Sequence, residues 1–136
     1  MKKLILIRHA KSSWSLDVSD RDRPLTEKGI RKTKKISIAS QKIFFKTEAF
    51  YSSPANRALH TASIIINKLN LSFSNLYIEE DLYTFESSKL IKFIRDIPNS
   101  FSNVICVGHN PAFTNATNLL SDTKIEHLPT SSWVEI

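Results

Sequence analysis

The sequence predicts an α/β protein, a three-layer α/β/α sandwich with a mostly parallel central sheet. Two observations carry that prediction. One phrase occurs three times: an apolar strand, a polar turn and then a helix start. Strand-like and helix-like patterns alternate along the whole chain, as they do where parallel strands are joined by crossing helices.

The first phrase opens with "KLILIR" at residues 3–8 and passes through "HAKSSWSLDVSDRDRPL" to a helix over about Thr26 to Gln41. Thr26 suits an N-cap, and Glu27 suits the positive end of the helix dipole. Gly29 lies inside this helix, where glycine costs about 1 kcal/mol, so close backbone packing is the expected reason for it. The second phrase is "AFYSS" followed by "PANRALHTASIIINKL", with Ser53 expected to cap and Pro54 expected at the first helical position. Ala55, Ala58, Leu59, Ala62, Ile65, Ile66 and Leu69 follow helical spacing and form one buried stripe. A strand near Leu76–Glu79 and a helix near Ser87–Ile97 come next. The third phrase is "NVICVGH" followed by "NPAFTNATNLL", with Asn110 expected as cap and Pro111 at the first position. "SSWVEI" reads as a last strand.

The 136 residues suit one domain over 1–136, with no Pro/Gly/Ser-rich linker, repeat or low-complexity tract. The first apolar run ends after Ile7, short of the ~7–15 residues of a signal-peptide core. No stretch approaches the ~18 apolar residues of a membrane span. The single cysteine, Cys106, reads as a buried small hydrophobe and excludes an intramolecular disulfide, so a reducing cytoplasm is expected. Residues 1–47 hold 13 Lys+Arg against 4 Asp+Glu, and the remainder holds 6 against 9. That imbalance suits an anionic partner, although Lys32, Lys34 and Lys35 read as a solvated helix face. The aromatic residues match no RNA-binding motif, so no nucleic-acid partner and no membrane partner is expected.

Ligands of parallel α/β sheets bind beyond the carboxyl ends of the strands. Arg8 and His9 leave the first strand, Arg57 lies in the first turn of the helix after the second, and His109 leaves the third. If these strands are parallel neighbours, the four side chains converge on one cleft. Guanidinium forks match phosphate oxygens and keep their charge at any working pH. The two helix starts would add backbone N–H donors. A neutral imidazole is a nucleophile, so His9 is expected to attack phosphorus and form a phosphohistidine that water hydrolyses. Arg8, Arg57 and His109 would stabilise the equatorial oxygens. The arginines do the neutralising, so neither metal nor cofactor is expected, and the four histidines show no zinc-ligand spacing.

Three blocks, "LIRHAKSSW", "SSPANRALHTA" and "VGHNP", resemble the signature blocks of the histidine phosphatase superfamily. "SDRDRPLTEKG" and "LPTSSWVEI" make the chain most similar to the SixA-type phosphohistidine phosphatases. The resemblance covers nearly the whole chain and implies a phosphoglycerate mutase-like fold, with His9 as the phosphorylated nucleophile and Arg8, Arg57 and His109 completing the phosphate pocket. The chain departs from the family pattern at Ala10, where glycine is common, and at Ser15, where many members have an asparagine that binds phosphate. The Ser15 hydroxyl is expected to donate one bond there.

Family members that cleave phosphate esters use a carboxylic acid in the region that here reads "YIEEDLYTFESS". Glu80 is the best positional candidate for a general acid, ahead of Asp81 and Glu86, but no convincing motif surrounds it. An alkoxide leaving group needs a proton in the transition state, whereas imidazole leaves readily once protonated. A site without a firm acid therefore favours P–N cleavage. The expected activity is metal-independent hydrolysis of phosphohistidine in a partner protein of the histidine-containing phosphotransfer type, releasing inorganic phosphate. A phosphomonoesterase for small sugar or nucleotide phosphates is the first alternative. A catalytically inactive phosphoprotein-binding module is the second. His60 and His127 read as surface or structural residues, and Trp14 either lines the cleft mouth or packs on the first helix.

Overall fold

Side chains on a strand alternate between its faces, so the burial of consecutive residues tells how a strand is covered. In β1 (Lys3–Arg8), Leu4 and Leu6 enter one apolar cluster while Ile5 and Ile7 enter another, and all four are buried. A strand buried on both faces belongs in the interior of a sheet covered by helices on each side. The computed structural model, which describes residues 2–136, has that arrangement.

Five strands form the sheet: β1, β2 (Ala49–Ser52), β3 (Leu76–Ile78), β4 (Asn103–Gly108) and β5 (Trp133–Glu135), in the order β3-β2-β4-β1-β5. The first four run parallel, and only β5 is antiparallel, pairing its Val134 with Leu6. β1 and β4 are in register from Lys3 opposite Asn103 to Arg8 opposite Gly108. The two expected carriers of site residues thus end side by side.

Helix α1 (Glu27–Ala39), the short α2 (Gln41–Phe44) and α3 (Asn56–Lys68) precede and follow β2, and α4 (Ser87–Asp96) and α5 (Ala112–Leu120) follow β3 and β4. Ala58, Ala62, Ile65 and Ile66 of α3 pack on Ile5, Ile7, Ile105 and Val107. On the other face, Leu90 of α4 and Ala112, Phe113 and Ala116 of α5 pack on Leu4, Leu6, Val104 and Cys106. Burial holds the Cys106 thiol well above its ordinary range, as expected of an inert core cysteine. Lys32, Lys34 and Lys35 are exposed, as expected of a solvated face.

Thr26 caps α1 by accepting from the Gly29 N–H (3.0 Å). A Cβ at Gly29 would lie 2.6 Å from the Lys11 carbonyl oxygen and 3.0 Å from the Lys11 nitrogen. Only glycine lets α1 approach the loop after β1 this closely.

Two helix starts differ from the expectation. α3 begins at Asn56, two residues after Pro54, because the Ser53 hydroxyl accepts from the Ala55 N–H (3.2 Å) in a tight turn and no side chain caps the helix. α5 begins at Ala112, one residue after Pro111, although Asn110 does cap it by accepting from the Thr114 N–H (3.1 Å) and hydroxyl (3.0 Å). Among the described residues no helix is long and apolar enough to cross a membrane.

Candidate active site

The carboxyl ends of β1, β2 and β4 open into a cleft of about 520 Å³ lined by Arg8, His9, Arg57 and Asp20 among others. Each side chain has a local reason for its place. The His9 N–H extends the β1–β4 ladder by donating to the Gly108 carbonyl (3.0 Å), and the Ala10 N–H donates to the Thr61 hydroxyl of α3 (2.9 Å). Those two bonds anchor the chain on both sides of His9. Arg57 sits in the first turn of α3, 3% exposed, with its guanidinium turned back toward the strand ends.

The two histidines occupy complementary tautomers. His9 Nδ1 lies 2.7 Å from the Ala10 carbonyl, which can only accept, so Nδ1 carries the proton. His9 Nε2 is then a lone pair, and it accepts from Arg57 Nε (3.3 Å). His109 Nε2 lies 2.8 Å from the Ser53 hydroxyl. That hydroxyl oxygen already accepts from Ala55, and we assign its hydrogen to Nε2, its one other partner among the described hydrogen bonds. The His109 proton therefore sits on Nδ1, which is buried and has no partner. His9 offers an electron pair and His109 offers a donor, with ring centroids 5.2 Å apart.

Both rings stay neutral at neutral pH. Burial, helped by Arg57 and Arg8, pulls the His9 pKa down to about 4. Burial and the neighbouring His9 pull that of His109 down to about 3. His109 is more deeply buried than His9, 1% exposed, with the rings of Tyr83 (5.4 Å) and Phe85 (5.6 Å) packed against it. Arg8 donates through Nη1 to the Leu128 carbonyl (3.2 Å) and pairs with His127 Nε2 (3.1 Å), while its buried Nε has no partner. His127 is thus an exposed prop for Arg8, in keeping with its structural reading. His60 is exposed on α3.

Several expectations are corrected here. Ser15 is exposed, hydrogen-bonded to the Ser13 hydroxyl (2.7 Å) and absent from the cleft wall, because the loop carries it outward. Glu80 does not face the cleft either. Its carboxylate is gripped by the Arg21 guanidinium (3.1 Å to Nη1), which holds its pKa below the ordinary range and leaves no proton to donate. Asp81 and Glu86 are likewise exposed and outside the cleft wall. At the helix starts, Ala55 N–H is used by Ser53 and Thr114 N–H by Asn110.

Residues that sequence reasoning missed surround the four it named. Asp20 accepts from Arg57 Nη1 through its backbone carbonyl (2.6 Å) and from Nη2 through Oδ2 (3.0 Å). The Tyr83 hydroxyl also donates to Oδ2 (2.6 Å), and Arg23 Nη1 donates to Oδ1 (3.1 Å). Burial works to raise the Asp20 pKa, but these three donors outweigh it and bring it down to about 2. Arg23 is itself buried, donates to the Ser13 carbonyl (3.2 Å) and the Ser12 hydroxyl, and stacks over the Trp14 ring at 3.3 Å. Trp14 lines the cleft mouth and is 80% exposed, which decides between its two readings. The signal for Asp20 and Arg23 was the block "SDRDRPL", whose paired charges precede a proline turn. Among the described residues no group of three or more His, Cys, Asp or Glu is placed to hold a metal ion.

A family model described as the histidine phosphatase superfamily (branch 1) matches residues 4–86. Among curated proteins, 2,3-bisphosphoglycerate-dependent phosphoglycerate mutase 2 of Bacteroides thetaiotaomicron is 32% identical over 76 residues, 54% of this chain and 31% of the mutase. The chain spans less than two thirds of the length of the curated relatives it matches. The crystal structure of SixA from Agrobacterium tumefaciens superposes with a TM-score of 0.86 at 21% identity, covering 98% of this chain and 90% of that one. The protein histidine phosphatase SixA complexed with tungstate superposes at 0.85 and 20% identity, covering 98% and 86%. At these identities the two solved structures speak for a shared fold.

Proposed function

Since the chain belongs to the histidine phosphatase superfamily, we propose that it is a phosphatase that hydrolyses phosphohistidine borne by a partner protein, with His9 as the nucleophile. The observation that carries this reading is the complementary tautomer pair. His9 Nε2 is a lone pair fixed by the Nδ1–H bond to Ala10, its ring lies 5.2 Å from that of His109, and two buried groups, Arg8 Nε and His109 Nδ1, have no partner among the described residues. Buried donors without partners are rare, and a phosphoryl group supplies three acceptor oxygens for them. A relative of the same fold has been solved with tungstate, a tetrahedral oxyanion shaped like phosphate.

In the first step the Nε2 lone pair attacks phosphorus and the P–N bond of the substrate breaks. The bonding pair goes to the substrate imidazole, which is protonated on its far nitrogen and leaves neutral. Arg8, Arg57 and the His109 N–H balance the charge on the equatorial oxygens. In the second step water attacks the phosphorus on His9 and loses a proton to solvent, and inorganic phosphate departs. The Nδ1–H, kept in place by Ala10, lets Nε2 leave as a neutral imidazole.

The proton inventory supports this substrate class. Asp20 is the one carboxylate on the cleft wall and is held ionised, and Glu80 is tied to Arg21. An alkoxide would depart without a proton, whereas imidazole brings its own. Trp14, Leu16, Val18 and Phe85 are exposed on the cleft mouth or the loop that borders it, a rim suited to contact with a folded partner. The second reading, a small-ester phosphatase, has the mutase relatives in its favour but no proton donor on the cleft wall, where Asp20 is held ionised.

The test is phosphoenzyme trapping with a radiolabelled phosphohistidine protein. An acid-labile, alkali-stable label on the wild type, absent in His9→Ala and followed by phosphate release, is the expected result. Rapid turnover of small esters with no action on the phosphohistidine protein would overturn the substrate assignment. Tight binding of the phosphoprotein without label or release would leave a binding module instead.

A further inference from the structure

The cleft wall carries four cations, Arg8, Lys11, Arg23 and Arg57, and a single carboxylate, Asp20. That carboxylate is held in place rather than swinging free. Its Oδ2 accepts from Arg57 and Tyr83, its Oδ1 from Arg23, and its backbone carbonyl takes a second Arg57 hydrogen. An acidic group locked among the cations expected to hold a dianion works against that dianion, so its presence needs a reason.

We propose that Asp20 is a positioning residue that serves as an internal counter-anion. It holds the Arg57 fork in place between turnovers and weakens the pocket's hold on inorganic phosphate, so that product leaves. The proposal rests on the reading that this cleft takes a phosphoryl group.

Two effects of Asp20 oppose one another in binding. Orientation of Arg57 favours the anion, and the negative charge disfavours it. Removing only the side-chain charge leaves most of the orientation intact. Arg57 is nearly fully buried, its Nε still donates to His9, and its Nη1 still donates to the Asp20 backbone carbonyl at 2.6 Å. The charge effect therefore dominates, and phosphate should bind more tightly once the carboxylate is gone. Solvent reaches Asp20, whose side chain is 42% exposed, so the repulsion is partly screened. About tenfold is the expected gain. A part played only in holding the loop together would give the opposite sign.

The experiment is calorimetric titration of the whole protein with inorganic phosphate, and separately with tungstate, for wild type, Asp20→Asn and Asp20→Ala. Both variants should bind each oxyanion about tenfold more tightly than wild type, with the advantage shrinking as salt is raised. Asn and Ala should behave alike, because each deletes the charge. Unchanged or weaker binding in either variant overturns the counter-anion assignment and leaves the phosphatase reading standing. Failure of the wild type and of both variants to bind either oxyanion overturns the phosphatase reading together with it.

Discussion

Acid should weaken this fold through its two buried histidines, and the size of the effect can be worked out. In the unfolded chain both imidazoles titrate near the ordinary value of 6.5, whereas in the fold His9 titrates at about 4 and His109 at about 3. Below 6.5 the unfolded state therefore binds protons that the folded state refuses, and stability falls as the pH falls. At pH 5 the unfolded rings are 1.5 units below their pKa while the folded rings remain neutral. At about 1.4 kcal/mol per unit, each histidine then costs about 2 kcal/mol relative to neutral pH. Carboxylates shift in the same experiment, so the comparison must cancel them. His109→Gln does so, because glutamine does not titrate and its carbonyl can accept from Ser53. Urea unfolding at pH 7.5 and pH 5 should show the wild type losing about 2 kcal/mol more than the variant. Equal losses in the two proteins would show that His109 is not held neutral, and the bond from Ser53 to its Nε2 lone pair would fall with it.

Three further outcomes follow from the geometry. Gly29→Ala should destabilise the protein by about 2 kcal/mol: overpacking against the Lys11 backbone costs up to about 3 kcal/mol, while better helix propensity returns about 1. That corresponds to roughly 7 °C in Tm for a chain of this length, so calorimetry that finds stabilisation would contradict the close approach. Arg57→Lys should lower kcat/KM on a phosphohistidine protein by about 10²–10³-fold, because a point charge replaces a fork that bonds His9 and Asp20 at once. Glu80→Gln should leave the same kcat/KM within about twofold, since Glu80 faces Arg21 rather than the cleft; a large loss would restore it as a proton donor.

What local pattern encodes was legible, and what depends on distant partners was not. β1 and β4 are continuous apolar runs that match their burial on both faces, and α3 carries a helical stripe that matches its buried side. These elements could be read from local pattern alone. The repeated phrase predicted a mostly parallel sheet, on which Arg8, His9, Arg57 and His109 converge if their strands are neighbours, and the fold sets β4 between β1 and β2. The helix starts misled because Ser53–Pro54 has the composition of a cap, yet the Ser53 hydroxyl is claimed by His109, which lies 56 residues away. Glu80 misled for a similar reason: its position suits a proton donor, but Arg21 comes from another loop to neutralise it.

The layers, the mostly parallel sheet and the four residues after the strands could be read from the sequence, because apolar runs, turn residues and helical period act over a few residues. The strand order β3-β2-β4-β1-β5 came only with the fold. Which histidine nitrogen carries a proton depends on partners that folding brings up, the Ala10 carbonyl at His9 Nδ1 and the Ser53 hydroxyl at His109 Nε2. The tertiary structure alone brought Asp20 onto Arg57, 37 residues away, and Tyr83 onto Asp20, 63 residues away. Charge and hydrogen-bond partners depend on distance in space, and that distance exists only once the chain has folded.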